Sequence, residues 1–428
     1  MKTPIDTNEL EKRIELNYIH LEDDPYYHIE NIFAPKEYDW YGDKEGRALL
    51  AFVSLYKITG KKIACMEELL NKLPEKTNKY MFFGPESGKI IYEQQLSGHS
   101  WLLRGLCEHY EQFYDELSLK AIKSISENLF LPLAGRVKTY PTDREKLNLG
   151  DVSGSEIGTV DFWRLSSDVG CAFMSIDGLS HAYKVTADVR IFDLLDEMID
   201  VFMSIDKVGL RLQTHCTLSA ARGMMRLYFV TENKKYLDCA KKIYNLYVYG
   251  GGMTYTYQNL NWWGRPDTWT EPCAIVDSLM LALELYKATG EDGYRRLAAR
   301  VYRNGFATAQ RANGGAGTDT TVCKGSPWGF LKTEMYEAFF CCTMRLSEGL
   351  WYINENKELL YTESTGVAAK DENGVYTDGD VVLAQVNCEL EPYAEKFYEI
   401  DGIKLTPIVK YYRVPKDIME ASEQKIIF

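Results

Sequence analysis

Apolar residues recur along this chain at helical spacing, and one phrase keeps returning. An apolar helix ends in an aromatic, a short polar break follows, and a second helical period begins. It reads Leu55-Tyr56-Lys57-Ile58-Thr59-Gly60, His181-Ala182-Tyr183-Lys184-Val185-Thr186, Leu227-Tyr228-Phe229-Val230-Thr231 and Leu285-Tyr286-Lys287-Ala288-Thr289-Gly290. Weaker copies stand at His109-Tyr110-Glu111 and Leu350-Trp351-Tyr352. Successive copies lie roughly 45 to 75 residues apart, the length of a helical hairpin with loops of varying size. Gly60 and Gly290 are helix-stop signals, and Glu291 to Arg300 restarts a helical period. Six such hairpins cannot bury their apolar faces singly. Closing them into a ring does so, which predicts a mainly α fold, an (α/α)6 toroid whose inner helices line a central cavity. The loops that open the inner helices would frame the cavity mouth.

After about Glu355 the texture changes. Val375 to Val386 and Glu399 to Arg413 carry alternating, β-branched and aromatic stretches, broken at Asp378-Gly379 and Asp401-Gly402. The expected organisation is a barrel over residues 1–355, with 1–40 as an N-terminal extension, and a small β-rich C-terminal element over 356–428.

Composition narrows the function. The 428 residues are 46% hydrophobic, enough for a substantial core, and the net charge of −13 argues against nucleic acid and anionic membranes. No apolar run reaches the ~20 residues that span a bilayer, and the start has no apolar signal segment. A cytoplasmic protein is expected. Of the ten cysteines, Cys65, Cys107, Cys171 and Cys239 fall in apolar helical segments and read as reduced, buried residues. Thirty tyrosines and eight tryptophans suit carbohydrate recognition, and equally an aromatic core.

Two fragments carry the chemistry. Thr270-Glu271-Pro272-Cys273 and Cys341-Cys342 together offer one carboxylate and three thiols, the ligands a borderline-soft ion such as zinc selects. Each opens a predicted helix, where backbone N–H groups and the helix dipole favour thiolate. Thr270 reads as the N-cap of the fifth inner helix, with Pro272 in its first turn, and Cys341 begins the sixth. The half-sites therefore fall at neighbouring rim positions. Spacing alone leaves two readings, a metal site and inert buried cysteines.

Glu-x-Cys opening one helix and Cys-Cys opening the next resembles glycoside hydrolase family 127, the β-L-arabinofuranosidases. Leu96-Ser97-Gly98-His99 followed by His109-Tyr110 resembles the family's Gly-His helix, and Gly250-Gly251-Gly252 matches a glycine run ahead of Glu-x-Cys. The resemblance covers about residues 90 to 355. It implies zinc bound by Glu271, Cys273, Cys341 and Cys342, with Cys341 as the nucleophile. Attack by its thiolate on the anomeric carbon would give a thioglycosyl intermediate that water resolves with net retention. Arg345, one helical turn on, would support the thiolate.

The family's general-acid glutamate has no counterpart here. The loop from Met253 to Asp267 contains no glutamate, and Asp267 is its one carboxylic acid. Glu334 and Glu337 are the other candidates. On the same loop and just after it, Trp262, Trp263 and Trp269, with Tyr255 and Tyr257, suit stacking against a sugar ring; the alternative is a loop folded onto its own core. His99 and His215 are candidates to hydrogen-bond sugar hydroxyls, whereas His109 and His181 read as structural.

The expected function is thus a retaining glycosidase for β-L-arabinofuranosides or a related small carbohydrate. Three other readings compete. A lanthionine-cyclase-like toroid requires a Cys-His-Gly segment that is absent. A metal-independent (α/α)6 hydrolase of unsaturated uronyl sugars would use Asp267 or Asp161. A non-catalytic sugar-binding or scaffold toroid would hold zinc as a sealed, four-ligand structural site. A solvent-reachable sulfur separates the catalytic reading from that last one. Oligomeric state has no sequence signal.

Overall fold

The computed structural model describes residues 2–34, 40–86, 88–143, 153–328, 332–363, 365–370, 376–385, 398–400, 402–407, 409–413 and 423–427. Among them the longer helices are α1 (Thr7–Asp23), α2 (Asp43–Thr59), α3 (Met66–Lys76), α4 (Glu93–Phe113), α5 (Glu116–Ile125), α6 (Ser175–Thr186), α7 (Val189–Ser204), α8 (Thr214–Thr231), α9 (Lys234–Tyr249), α10 (Pro272–Thr289), α11 (Asp292–Arg300) and α12 (Cys342–Glu355). Odd helices are outer and even helices inner. Each inner helix packs on the next, from α2 through α4, α6, α8 and α10 to α12, which returns to α2. This is the (α/α)6 toroid.

The recurring phrase marks the far end of the inner helices. Thr59, Thr186, Thr231 and Thr289 each donate their hydroxyl to the carbonyl four residues back, and the next residue turns left-handed. Glycine fills that position at Gly60 and Gly290, whereas Ala187 and Glu232 accept it as non-glycine residues. Asp188 and Asn233 then cap α7 and α9 through the backbone N–H two residues on. Inner helices are buried over their first turns on all sides, as Asp43 to Leu55 is in α2. Outer helices bury one stripe, as in α7 with Ile191, Leu194, Leu195, Met198, Ile199 and Phe202.

The sixth hairpin closes differently from the others. Its outer helix is α1, which packs on α12, while Lys2–Thr3 pairs with Thr362–Glu363. The stretch read as an extension therefore supplies the outer helix that completes the ring.

Glycine sets the inner ring's tightness at Gly46, where a Cβ would stand 2.2 Å from the Leu102 nitrogen of α4. Gly46→Ala is expected to cost about 1–3 kcal/mol or more in denaturant unfolding, because two helix backbones must part.

Beyond the ring, a five-stranded antiparallel sheet runs in the order Tyr398–Ile400, Ile403–Pro407, Val381–Gln385, Tyr376–Asp378, Ala369–Lys370, and Val409–Arg413 pairs with Glu423–Ile427 in a separate antiparallel pair. Val375, Val386, Asp401 and Phe428 lie outside the described residues. The nine cysteines among the described residues are free, with Cys107 and Cys171 buried and Cys65 and Cys239 partly so. No helix among those residues is long and apolar enough to cross a membrane.

Candidate active site

A cavity of about 430 Å³ opens where the inner helices begin, within the size range of small-molecule sites. Its wall draws on separate segments: Trp40, Asp43 and Arg47 at α2; Ser153 and Gly154; Asp168 and Met174 before α6; Gln213 and His215 at α8; Asn261, Trp269 and Glu271 before α10; and Thr318, Tyr336, Phe340, Cys341 and Cys342 before and at α12.

Glu271 is the N-cap of α10, Pro272 occupies the first turn, and Cys341 holds the N-cap of α12 in an irregular conformation. Thr270 is not the cap, contrary to the sequence reading. Its hydroxyl instead accepts from the Asp319 N–H, tying the loop to strand Gly317–Asp319. Freed from helical geometry, both half-sites turn to one point. The ligand atoms of Glu271, Cys273, Cys341 and Cys342 all lie within 4.8 Å of one another. Cys342 Sγ stands 3.4 Å from Cys341 Sγ and 3.5 Å from Cys273 Sγ. Metal–sulfur bonds of about 2.3 Å in a tetrahedron put sulfurs about 3.8 Å apart, so the set fits a metal ion with little movement. Cys273 and Cys342 are buried, whereas Cys341 is only partly so and lines the cavity.

The surroundings compensate the negative charge this set carries. Arg47 Nη1 is 3.5 Å from Cys273 Sγ and its Nε binds both Asp43 oxygens. His215 bridges Glu271 at 3.0 Å and Asp277 at 3.3 Å. Burial would lower the His215 imidazolium, but Glu271 and Asp277 outweigh it and raise its pKa to about 10. Burial likewise opposes a Cys273 thiolate. The Cys341 and Cys342 thiols, then Arg47 and His215, reverse this and hold Cys273 well below an ordinary thiol. Trp101 lies beneath, stacked on His215 with ring centroids 5.6 Å apart, and it carries both Arg47 and Arg345 on its ring.

Below this layer the barrel axis is filled by ions rather than hydrocarbon. Arg345 pairs with Asp277 (2.5 Å) and Glu348, and Arg104 with Glu348 (2.6 Å) and Asp177 (3.1 Å). Arg222 adds Asp277 and Glu348.

The structure brings some sequence candidates to the cavity and leaves others away from it. His215, Trp269, Glu271, Cys341 and Cys342 line it, with Cys273 just behind. Asp267 does not; it is exposed and ion-paired to Arg265 at 2.9 Å, which lowers its carboxyl further. Glu337 is held by His20 (2.8 Å) and Asn313 (2.7 Å), Glu334 is exposed, and neither reaches the cavity. Asp161 sits in an exposed left-handed turn. Trp262 and Trp263 are fully buried, their indoles donating to Ser167 O and Thr217 Oγ1. Trp262 backs Trp269 edge-on, and Tyr255 lies off the wall. His99 binds Gln95 O and accepts from the Phe83 N–H, a structural clamp. Arg345 is buried in the ionic floor.

Sequence reasoning missed Trp40, Asp43, Arg47, Asp168, Tyr336 and Phe340. The signal available was positional, since several of them precede or open an inner helix. Tyr336 and Phe340 are 43% and 38% exposed at the mouth, flat surfaces where a sugar ring can rest. Tyr336→Ala is expected to raise KM for a glycoside roughly fivefold, the loss of about 1 kcal/mol of stacking, with kcat little changed.

No family model and no curated protein matches the sequence. Solved structures do match the fold. An unsaturated glucuronyl hydrolase specific for heparin aligns at TM-score 0.53 and 12% identity, over 83% of this chain and all of that one. A GH127 β-arabinofuranosidase aligns at TM-score 0.54 and 12% identity, over 96% and 69%. A GH127 β-L-arabinofuranosidase from Geobacillus stearothermophilus T6 aligns at 0.51 and 12%, over 97% and 70%. At these identities the chain shares with them the helical toroid of carbohydrate-active enzymes, and that likeness concerns the fold.

Proposed function

We propose that this protein is a retaining glycoside hydrolase for small neutral glycosides, β-L-arabinofuranosides first among them, with Cys341 as nucleophile in a zinc site. One observation carries this reading. The quartet converges on a cavity wall that Cys341 and Cys342 both line, and the less buried of the three cysteines is Cys341, the residue the sequence resemblance marks as reactive. A sealed structural site would hide all three sulfurs. Bound zinc would keep the thiols deprotonated at neutral pH. Cys341 lines the cavity at a helix N-terminus, where it would meet an anomeric carbon bound there. Cys273, Cys342 and Glu271 hold their places through Arg47, His215, Gln213 and the Asn259 side chain, which accepts from the Glu271 N–H. Trp40, Trp269, Tyr336 and Phe340 offer faces for the sugar, and Gln213 and Asn261 offer polar partners for its hydroxyls.

A uronyl hydrolase using cavity aspartates is the second reading, favoured by Asp43 and Asp168 on the same wall. Charge argues against it. Three carboxylates line the cavity, and its cations Arg47 and His215 are already engaged by Asp43, Glu271 and Asp277. Among the described residues, an anionic sugar would meet no spare positive partner there.

Nitrophenyl β-L-arabinofuranoside and an unsaturated uronyl disaccharide, assayed side by side, decide between them. Hydrolysis of the first, with the β-anomer seen first by NMR, is expected. Turnover of the uronyl sugar alone would overturn the proposal.

A further inference from the structure

Double displacement at a glycosidic carbon needs a group that protonates the leaving oxygen, worth about 10² to 10⁴ in rate. Every carboxylic acid singled out for this from the sequence lies off the cavity. Among the described residues, the carboxylates on the wall are Asp43, Asp168 and Glu271. Glu271 belongs to the ligand quartet, and Asp43 has both oxygens on Arg47 Nε. Asp168 has neither commitment.

Its setting is built with care. Asp168 follows strand Trp163–Ser166 and opens the turn into α6, 3% exposed overall yet on the cavity wall. Ser153 Oγ donates to it at 3.0 and 3.2 Å, and the Gly154 N–H at 2.9 Å. The turn itself is clamped by buried Glu93, which accepts from the N–H groups of Ser166 (2.9 Å), Gly170 (3.1 Å) and Ala172 (3.4 Å) and from Tyr140 OH (2.8 Å). A carboxylate fixed this way keeps its aim through a reaction cycle. Burial first, and the charge of Glu271 second, raise the Asp168 carboxyl above an ordinary aspartic acid.

We infer that Asp168 is the proton-transfer residue of this cavity. The inference rests on the glycosidase reading above. As Cys341 Sγ forms its bond to the anomeric carbon, the carbon–oxygen bond breaks and the Asp168 carboxyl gives its proton to the departing oxygen. In the second half, the Asp168 carboxylate takes a proton from water. The water oxygen then bonds the anomeric carbon, and the carbon–sulfur bond breaks with its electron pair returning to Cys341.

Asp168→Asn tests this, since an amide oxygen still accepts from Ser153 and Gly154. Two β-L-arabinofuranosides are compared, one with dinitrophenolate as leaving group and one with methanol. The methyl glycoside should lose about 10² to 10⁴ in kcat/KM, and the dinitrophenyl glycoside far less, because its leaving group departs unprotonated. Azide should restore turnover of the dinitrophenyl substrate and yield the β-glycosyl azide, the anion needing no base. Equal losses on both substrates with no azide product would overturn the inference, as would Asp43→Asn showing that signature in place of Asp168→Asn. Wild-type protein inactive on both glycosides would overturn the glycosidase reading and this role with it. Cys341→Ala is the control that tells the failures apart, since it should cut turnover of both substrates alike, and any azide product from it should be the inverted α-glycosyl azide, formed by direct displacement.

Discussion

Cys341→Ala should lower kcat/KM for an aryl β-L-arabinofuranoside by about 10⁴ or more, leaving a chain that still folds. The size follows from losing covalent catalysis outright. Folding should survive because Cys341 is only partly buried and holds the N-cap of α12 without a side-chain capping bond. Stopped assays beside a melting curve check both halves. Undiminished hydrolysis by the folded variant would assign the cysteines a structural role only.

Asp277→Asn is the largest expected loss of stability, about 3–5 kcal/mol in denaturant unfolding, as for one partner removed from a buried ion network. Asp277 is fully buried and touches Arg345, Arg222, His215 and Ser219, so the change leaves several charges unpaired in the barrel axis. The pH dependence has a definite sign. Burial alone would raise this carboxyl, but Arg345, His215 and Arg222 outweigh it and hold it below the usual range. A depressed carboxylate contributes stability that is present above its unfolded value of about 4 and lost as pH falls below it. Wild type should therefore lose stability steeply through that acid window, and Asp277→Asn should show a shallower fall. Equal slopes would mean the network contributes nothing to acid sensitivity.

Much of the ring was legible because its signal is local. The Tyr-to-Thr phrase is the physical end of an inner helix, with a threonine bonding back and a left-handed residue stopping the turn. Glu271-x-Cys273 and Cys341-Cys342 were legible for a related reason, since each opens an inner helix and neighbouring inner helices begin side by side. The aromatic loop misled because a loop has no period to tell inside from outside. Trp262 and Trp263 turned inward, where Ser167 and Thr217 satisfy their indole N–H groups, leaving Trp269 on the cavity. Arg47 and Asp168 were invisible for a different reason. They reach the site from α2 and from the turn before α6, more than a hundred residues away from the cysteines, and only ring closure brings them there. Closure itself depends on α1, whose pairing with α12 joins opposite ends of the barrel sequence.

The most direct test of the account is metal content per chain, by elemental analysis of reduced, chelator-free protein, with wild type beside Cys342→Ala. About one zinc per wild-type chain, lost in the variant, is the predicted result. Metal-free wild-type protein that still hydrolyses the arabinofuranoside would contradict it, since Cys341 would then act without the ion that the quartet is arranged to hold.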